Sequence, residues 1–164
     1  MSFSEFNQIL QQLSTYPKIQ GKRFISIDYG EKVIGLAIYY DQNTPFPLVY
    51  DNFSRSNLKD DKVILHLKQV ILTEDIDYVI VGIPYLLDQQ STKRTLIHQS
   101  FKQQLQTSIP SHIKVYEQDE SLTTFEAKER MLNSPLYNFK VDLSKIDGLS
   151  AVIILEDFLK SDKL

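Results

Sequence analysis

Apolar positions fall into two rhythms along this chain, one with the period of a strand and one with the period of a helix. The first clear stretch, FISIDYGEKVIGLAI over residues 24–38, has two apolar runs split by a turn at Gly30. Phe24, Ile25, Ser26 and Ile27 are mostly β-formers in a run too short for a helix, so a β-hairpin is expected. Period-two alternation puts Asp28 on the face of Ser26 and Phe24, opposite Ile25 and Ile27. Thr44-Pro45-Phe46-Pro47 breaks the pattern, and residues 48–53 read as a third strand. Val63, Leu67, Val70 and Ile71 then mark the inner face of a helix running from Asp60 and Asp61 to about Leu72; the two acids suit its positive N-terminus. YVIVGI at 78–83 is continuously apolar, as in a strand buried on both faces. Ile97, Phe101 and Leu105 predict a helix over 91–105 with those three residues inward, and 113–116 reads as a short strand leading into Asp119-Glu120. Thr123 and Glu126 have capping-box spacing before a helix to about Leu132. After a loop over 133–143 containing Pro135, AVIILEDFL is apolar on more than one side and predicts a well-buried last helix, from Ser144 or Lys145 to about Leu159.

The chain opens with another capping-box pair, Ser2 and Glu5, followed by Phe6, Ile9, Leu10 and Leu13 on one helical face. Tyr16-Pro17 ends that helix, because proline disfavours helical backbone in the residue before it. This helix is expected to pack on the domain. The element order is then helix, hairpin with a third strand, α, β, α, β, α, α. Strands alternating with helices imply right-handed crossovers onto a mixed sheet, an α/β fold whose chemistry lies at the carboxyl ends of its strands. The 164 residues suffice for one domain with a real core, and neither a repeat nor a low-complexity tract appears. Residues 1–20 are expected to form an N-terminal helical extension and 21–164 the functional domain.

With 42% hydrophobic and 24% charged residues, the composition is that of an ordinary soluble protein. The absence of cysteine excludes disulfides and thiolate metal sites, and the scattered His66, His98 and His112 argue against zinc. No apolar run approaches the roughly 18 residues of a membrane span, and no basic-then-apolar leader opens the chain; a cytoplasmic protein with no membrane partner is expected. A net charge of −3 gives no sign of non-specific nucleic-acid binding.

Three acids sit where separate elements can bring them together: Asp28 at the end of the first strand, Glu120 past the strand at 113–116, and Asp147 at the start of the last helix. Each has an ordinary structural role open to it. Asp28 can open a turn, Asp119 and Glu120 can favour a helix N-terminus, and Asp147 stands three residues after Ser144 in a capping arrangement. Together, three carboxylates without cysteine or clustered histidine suit Mg2+ or Mn2+. Such ions activate water and stabilise the leaving oxygen of a phosphodiester, which points to phosphoryl transfer, most simply hydrolysis.

DYGEKVIGLAI, VIVGIPYLLD, DESLTT and KIDGLSAVIILEDFL, in this order and spacing, resemble the YqgF/RuvX family over about residues 22–160. The resemblance implies an RNase H-like mixed sheet flanked by helices, here with an added N-terminal helix. It also implies a nuclease, either one maturing the 5′ end of the small-subunit (16S) ribosomal RNA precursor or a Holliday junction resolvase acting on branched DNA. The family's acids fall on Asp28, Glu120 and Asp147, which it implies as the catalytic, metal-holding residues. Three departures stand out: Gly30-Glu31-Lys32 replaces a usual Gly-Thr-Lys, Asp119-Glu120-Ser121-Leu122 lacks the arginine expected at Ser121, and Ile83-Pro84-Tyr85-Leu86-Leu87-Asp88-Gln89 lacks an asparagine and a glycine. They touch phosphate-binding groups rather than the acids.

Lys32, Lys93, Arg94, Lys102, Lys140 and Lys145 fall near strand ends or helix starts; Lys32 and Arg94 are the best-placed nucleic-acid contacts, since they follow the first strand and the buried strand's loop. Tyr29 and Tyr85 are candidates for stacking on bases. Two other readings compete with the nuclease. DYGEKVIG also fits the phosphate-binding hairpin of actin-type and sugar kinases, but the chain is too short for their two lobes. A non-catalytic nucleic-acid-binding or assembly module fits the missing arginine and the pI of about 5.6. A monomer or weak homodimer is expected, because a resolvase cutting two strands needs a dimer and no self-complementary surface is evident.

Overall fold

β1 (Arg23–Tyr29) and β2 (Val33–Tyr40) pair antiparallel as the expected hairpin, and β3 (Leu48–Ser54) adds to the far edge of β2. In this computed structural model, residues 2–5, 19–56, 58–161 and 163–164 are described. β4 (Tyr78–Ile83) lies parallel to β1, and β5 (Lys114–Asp119) lies parallel to β4, giving a mixed sheet of order β3-β2-β1-β4-β5 among the described residues. The helices are α1 (Asp60–Thr73), α2 (Lys93–Ser108), α3 (Thr123–Leu132) and α4 (Ile146–Lys160), with a 3-10 turn at Pro135–Tyr137.

The alternation read along the first strand divides the core into two layers. Ile25 and Ile27 face α1 and α2, where they meet Val63, Leu67, Ile71, Phe101 and Leu105. Phe24 lies in the other layer with Ala37, Ile80 and the buried side of α4, and α3 closes over α4 with Ala127 and Met131. Each fully buried Ile, Leu or Phe here contributes roughly 1.5–3 kcal/mol relative to exposure. Ser26, polar and wholly buried, donates its hydroxyl to the Ala151 carbonyl at 2.6 Å and so ties β1 to α4. As its composition implied, α4 is buried on most sides from Gly148 to Leu155.

Several boundaries differ from the sequence-based expectations. β5 runs on through Glu117, Gln118 and Asp119, because pairing with β4 continues as far as Ile83 against Asp119. The inner face of α2 is Thr95, His98, Phe101 and Leu105, while Ile97 is 48% exposed: spacings of three and four residues from Phe101 each form a face, and the sheet meets the former. Similarly, Ile64 rather than Val70 completes the buried side of α1. The capping box expected from Thr123 and Glu126 does not form; Thr123 donates its hydroxyl to the Glu120 carbonyl, and Glu126 pairs with Arg130. Ser144 likewise does not cap α4, its hydroxyl being taken by Asp142. The first capping box does form: the Ser2 N–H donates to Glu5 at 2.7 Å, and the Glu5 N–H to Ser2 at 3.1 Å. Phe6, Ile9, Leu10, Leu13 and the Tyr16-Pro17 ending lie outside the described residues.

Candidate active site

Asp28 is the penultimate residue of β1, on the face covered by α4, and only 9% exposed. Both of its lateral neighbours are glycines. Gly35 is its partner on β2, and Gly82 lies at the same level on β4, one residue beyond the Ile27–Val81 pair. Glu120 follows β5 directly; its N–H donates to the Ile83 carbonyl at 3.0 Å, which extends the parallel pairing by one bond. Its buried side chain turns back over Gly82, and Oε2 lies 2.7 Å from the position a Cβ there would take. Asp28 and Glu120 belong to strands separated by β4, and the bare backbone of Gly82 leaves the room in which their carboxyls meet. Asp147 enters from the first turn of α4, its Oδ1 3.3 Å from a Cβ position on Gly30. The backbone of α4 comes so close to the hairpin that a Cβ on Gly35 would lie 2.1 Å from the Asp147 carbonyl oxygen. The three predicted acids therefore gather at one end of the sheet, the carboxyl end of β1, β4 and β5.

Their charges are poorly compensated. Burial, and then the charge of Asp147, push Asp28 up to about 7, against the hydrogen bond it shares with the Glu120 carboxyl and the opposing pull of Arg94. Burial, and then the charge of Asp28, push Glu120 up to about 9. Burial also raises half-buried Asp147. Among the described residues no Lys or Arg forms an ion pair with any of the three. Hard oxygen donors with uncompensated buried negative charge suit a hard divalent cation. The side chains do not converge on a closed cation site among the described residues: Asp28 and Glu120 turn to one another, and Asp147 joins them through its charge.

The predicted contacts divide. Arg94, exposed in the first turn of α2, is near enough to lower both Asp28 and Glu120. Lys32 is exposed on the hairpin turn, which Arg55 braces by donating its N–H to the Lys32 carbonyl at 2.9 Å and Nη1 to the Gly30 carbonyl at 3.1 Å. Lys102 pairs with Glu117 and Lys145 with Asp142. Tyr29 is not available for base stacking: it is 3% exposed, stacked on Phe101 at 3.9 Å, covered by Arg55, and donates its hydroxyl to Asp60 at 2.7 Å. Tyr85 is half-buried, with its hydroxyl on Glu117. Ser121, where the arginine was expected, sets its hydroxyl between two acceptors, the Tyr85 carbonyl at 2.8 Å and the Asp119 carboxylate, joining the segments after β4 and β5.

His98 escaped the sequence reading. It is buried in α2, with Nδ1 3.2 Å from the Gly82 carbonyl and 3.3 Å from Glu120 Oε1. Its signal was its spacing, three residues from both Thr95 and Phe101 on the face that α2 buries.

Comparison with known proteins agrees with this architecture. A protein of Mycoplasma mobile named "Putative pre-16S rRNA nuclease" is 30% identical over 146 residues, 85% of this chain and 92% of its own. One of the same name from Wigglesworthia glossinidia brevipalpis is 34% identical over 139 residues, 84% of this chain and 91% of its own. Among solved structures, Thermus thermophilus RuvC in complex with Holliday junction substrate superposes with a TM-score of 0.52 at 11% identity, covering 84% of this chain and 94% of that one. The yeast mitochondrial Holliday junction resolvase Ydc2 also gives 0.52, at 10% identity over 93% of this chain and 84% of that one. The fold is thus RNase H-like, as the sequence motifs implied. Residues 22–161 match the family described as RuvX: Holliday junction resolvase, and the chain belongs to that family.

Proposed function

We propose that this protein is a divalent-metal-dependent nuclease that hydrolyses phosphodiester bonds, with the 5′ end of the precursor of small-subunit ribosomal RNA as its substrate. The carrying observation is the meeting of Asp28 and Glu120 over Gly82, with Asp147 close enough to raise Asp28. Asp28, Glu120 and Asp147 would hold Mg2+ or Mn2+, which when bound stabilises the attacking and leaving oxygens of the phosphodiester. Burial and the charge of Asp28 raise Glu120, so its carboxylate form is disfavoured until positive charge reaches the site. Arg94, exposed and near enough to lower Asp28 and Glu120, and Lys32, exposed on the hairpin turn, supply the positive charge that orients the substrate's phosphates. Residues 21–164 make up the nuclease domain, with 1–20 as a helical extension, in a cytoplasmic protein acting as a monomer or weak homodimer. Among the described residues no helix is long and apolar enough to cross a membrane.

The names of the relatives favour precursor ribosomal RNA. A second reading, resolution of branched DNA, is favoured by the description of the family. Purified protein incubated with an rRNA-precursor leader or a four-way DNA junction, in Mg2+, Mn2+ or EDTA, separates the two. Metal-dependent cutting of the leader alone, lost in Asp28→Asn, supports the first reading; cutting of the junction alone transfers support to the second. Retention of either nucleic acid without cutting would leave a binding module.

A further inference from the structure

His98 carries no part in the reading above, yet its ring nitrogen meets the Glu120 carboxyl. Its Nδ1 lies 3.2 Å from the Gly82 carbonyl oxygen and 3.3 Å from Glu120 Oε1. A carbonyl oxygen can only accept, so Nδ1 carries the hydrogen and the tautomer is assigned from this network. That nitrogen is therefore a donor rather than a metal ligand. The ring is held on its other sides: it stands edge-on to Tyr29 with centroids 5.3 Å apart and planes at 82°, and Tyr29 is itself stacked on Phe101. One turn earlier on α2, Thr95 is buried, accepts from the Thr92 N–H and donates its hydroxyl to the Pro84 carbonyl. The start of α2 is thereby fastened to the chain leaving β4, the strand that supplies Gly82.

We propose that His98 is a positioning residue for Glu120: its imidazole, held in place by the Nδ1–H bond to the Gly82 carbonyl, stands 3.3 Å from Oε1 and backs the Glu120 carboxyl in the orientation that faces Asp28. Oε1 is directed at the imidazole and Oε2 lies over the glycine. Both oxygens are thus placed by β4 and its neighbour α2. Neither the Glu120 backbone bond to Ile83 nor the length of its side chain would do this, because a glutamate has three rotatable bonds. The role depends on the ring being fixed by its bond to Gly82 and requires no change in the charge of His98. It rests on the proposed metal-dependent chemistry, in which Glu120 is a ligand and His98 stands behind it. Loss of the groups that stand behind metal ligands and orient them typically changes metal affinity by about 10–100-fold.

The test is Mn2+ binding, read from the electron paramagnetic resonance signal of free Mn2+, in the wild type, His98→Phe and His98→Asn. Cleavage of the metal-loaded proteins and metal-free melting curves accompany it. Phe keeps the ring against Tyr29 without a donor; Asn places an amide N–H near the position of Nδ1. Binding weakened by about tenfold or more in His98→Phe and returned to within about threefold of wild type in His98→Asn is the expected result. Wild-type affinity in His98→Phe would overturn the positioning role while leaving the nuclease reading intact. Equal weakening in both variants would also overturn it, since only packing would then matter. Failure of the wild type itself to bind Mn2+ would remove the metal-based reading and this inference together. Should His98→Phe not fold, His98→Leu serves as the variant without a donor.

Discussion

Glu120 folds back over Gly82, with its Oε2 2.7 Å from the place where a Cβ on that glycine would stand. Gly82 is on β4, between the strands that carry Asp28 and lead to Glu120, so a missing side chain on one strand lets two others meet. The atoms a methyl would meet are the ends of movable side chains, Glu120 Oε2 and Ile154 Cδ1. Gly82→Ala is therefore expected to keep the fold, shift the melting temperature by only a few degrees, and lower cleavage by about tenfold or more as Glu120 is displaced. Wild-type turnover in Gly82→Ala would show that the placement of Glu120 does not matter.

Gly35 gives the opposite outcome. A Cβ there would lie 2.1 Å from the Asp147 carbonyl oxygen and 2.9 Å from the Gly148 nitrogen, both backbone atoms of a helix packed on the sheet. Relief requires α4 to move as a body. Gly35→Ala should cost about 1–3 kcal/mol or more in urea unfolding and reduce activity with it. An unchanged midpoint would mean that α4 yields to the added methyl without cost.

Asp28→Asn separates function from stability. Burial and the charge of Asp147 disfavour the Asp28 carboxylate in the metal-free fold, and the amide removes that charge while keeping its shape. Cleavage should fall by at least about a thousandfold, while the metal-free protein melts at the same temperature or higher at pH 8. A large loss of stability would instead assign Asp28 a structural role.

The same acids set a pH dependence. Their folded-state values are raised, to about 7 for Asp28 and about 9 for Glu120, so the folded state binds protons more tightly than the unfolded chain does. Their contribution to stability is complete below the ordinary carboxylate values near 4 and is lost as pH rises through about 7 and then about 9. Chemical denaturation of metal-free protein from pH 4 to 10 should show this decline, with Glu120→Gln and Asp28→Asn each flattening part of it. Saturating Mn2+ should flatten it as well, because binding to the folded state alone stabilises that state.

Arg55 should matter through the hairpin turn. Its guanidinium lies over the Tyr29 ring, donates to the Gly30 carbonyl at 3.1 Å and bonds Asp60 at 3.0 Å. Arg55→Ala removes two hydrogen bonds and a cation–π contact from a mostly buried side chain, for a loss of about 1–3 kcal/mol. Arg94→Ala, by contrast, should leave stability unchanged, raise KM, and reduce the salt dependence of RNA binding by about one phosphate contact.

The amino-acid sequence determined the elements and their order. Alternation in FISIDYGEKVIGLAI and the unbroken YVIVGI define strands because a pleated strand turns successive side chains to opposite faces, and a strand covered on both sides must be apolar throughout. The motifs also marked Asp28, Glu120 and Asp147, since acids at strand ends and helix starts are local features. Tertiary structure decided what those acids meet. The proximity of Asp28 and Glu120 across Gly82 depends on β4 inserting between β1 and β5, a long-range pairing that no local pattern encodes. It also decided which face of α2 is buried, replacing Ile97 by His98, because spacings of three and four residues describe adjacent stripes on a helix and only the sheet selects between them. Tyr29 reads as an aromatic free to stack, yet the packing of Phe101, Arg55 and Asp60 around it has already used both its faces and its hydroxyl.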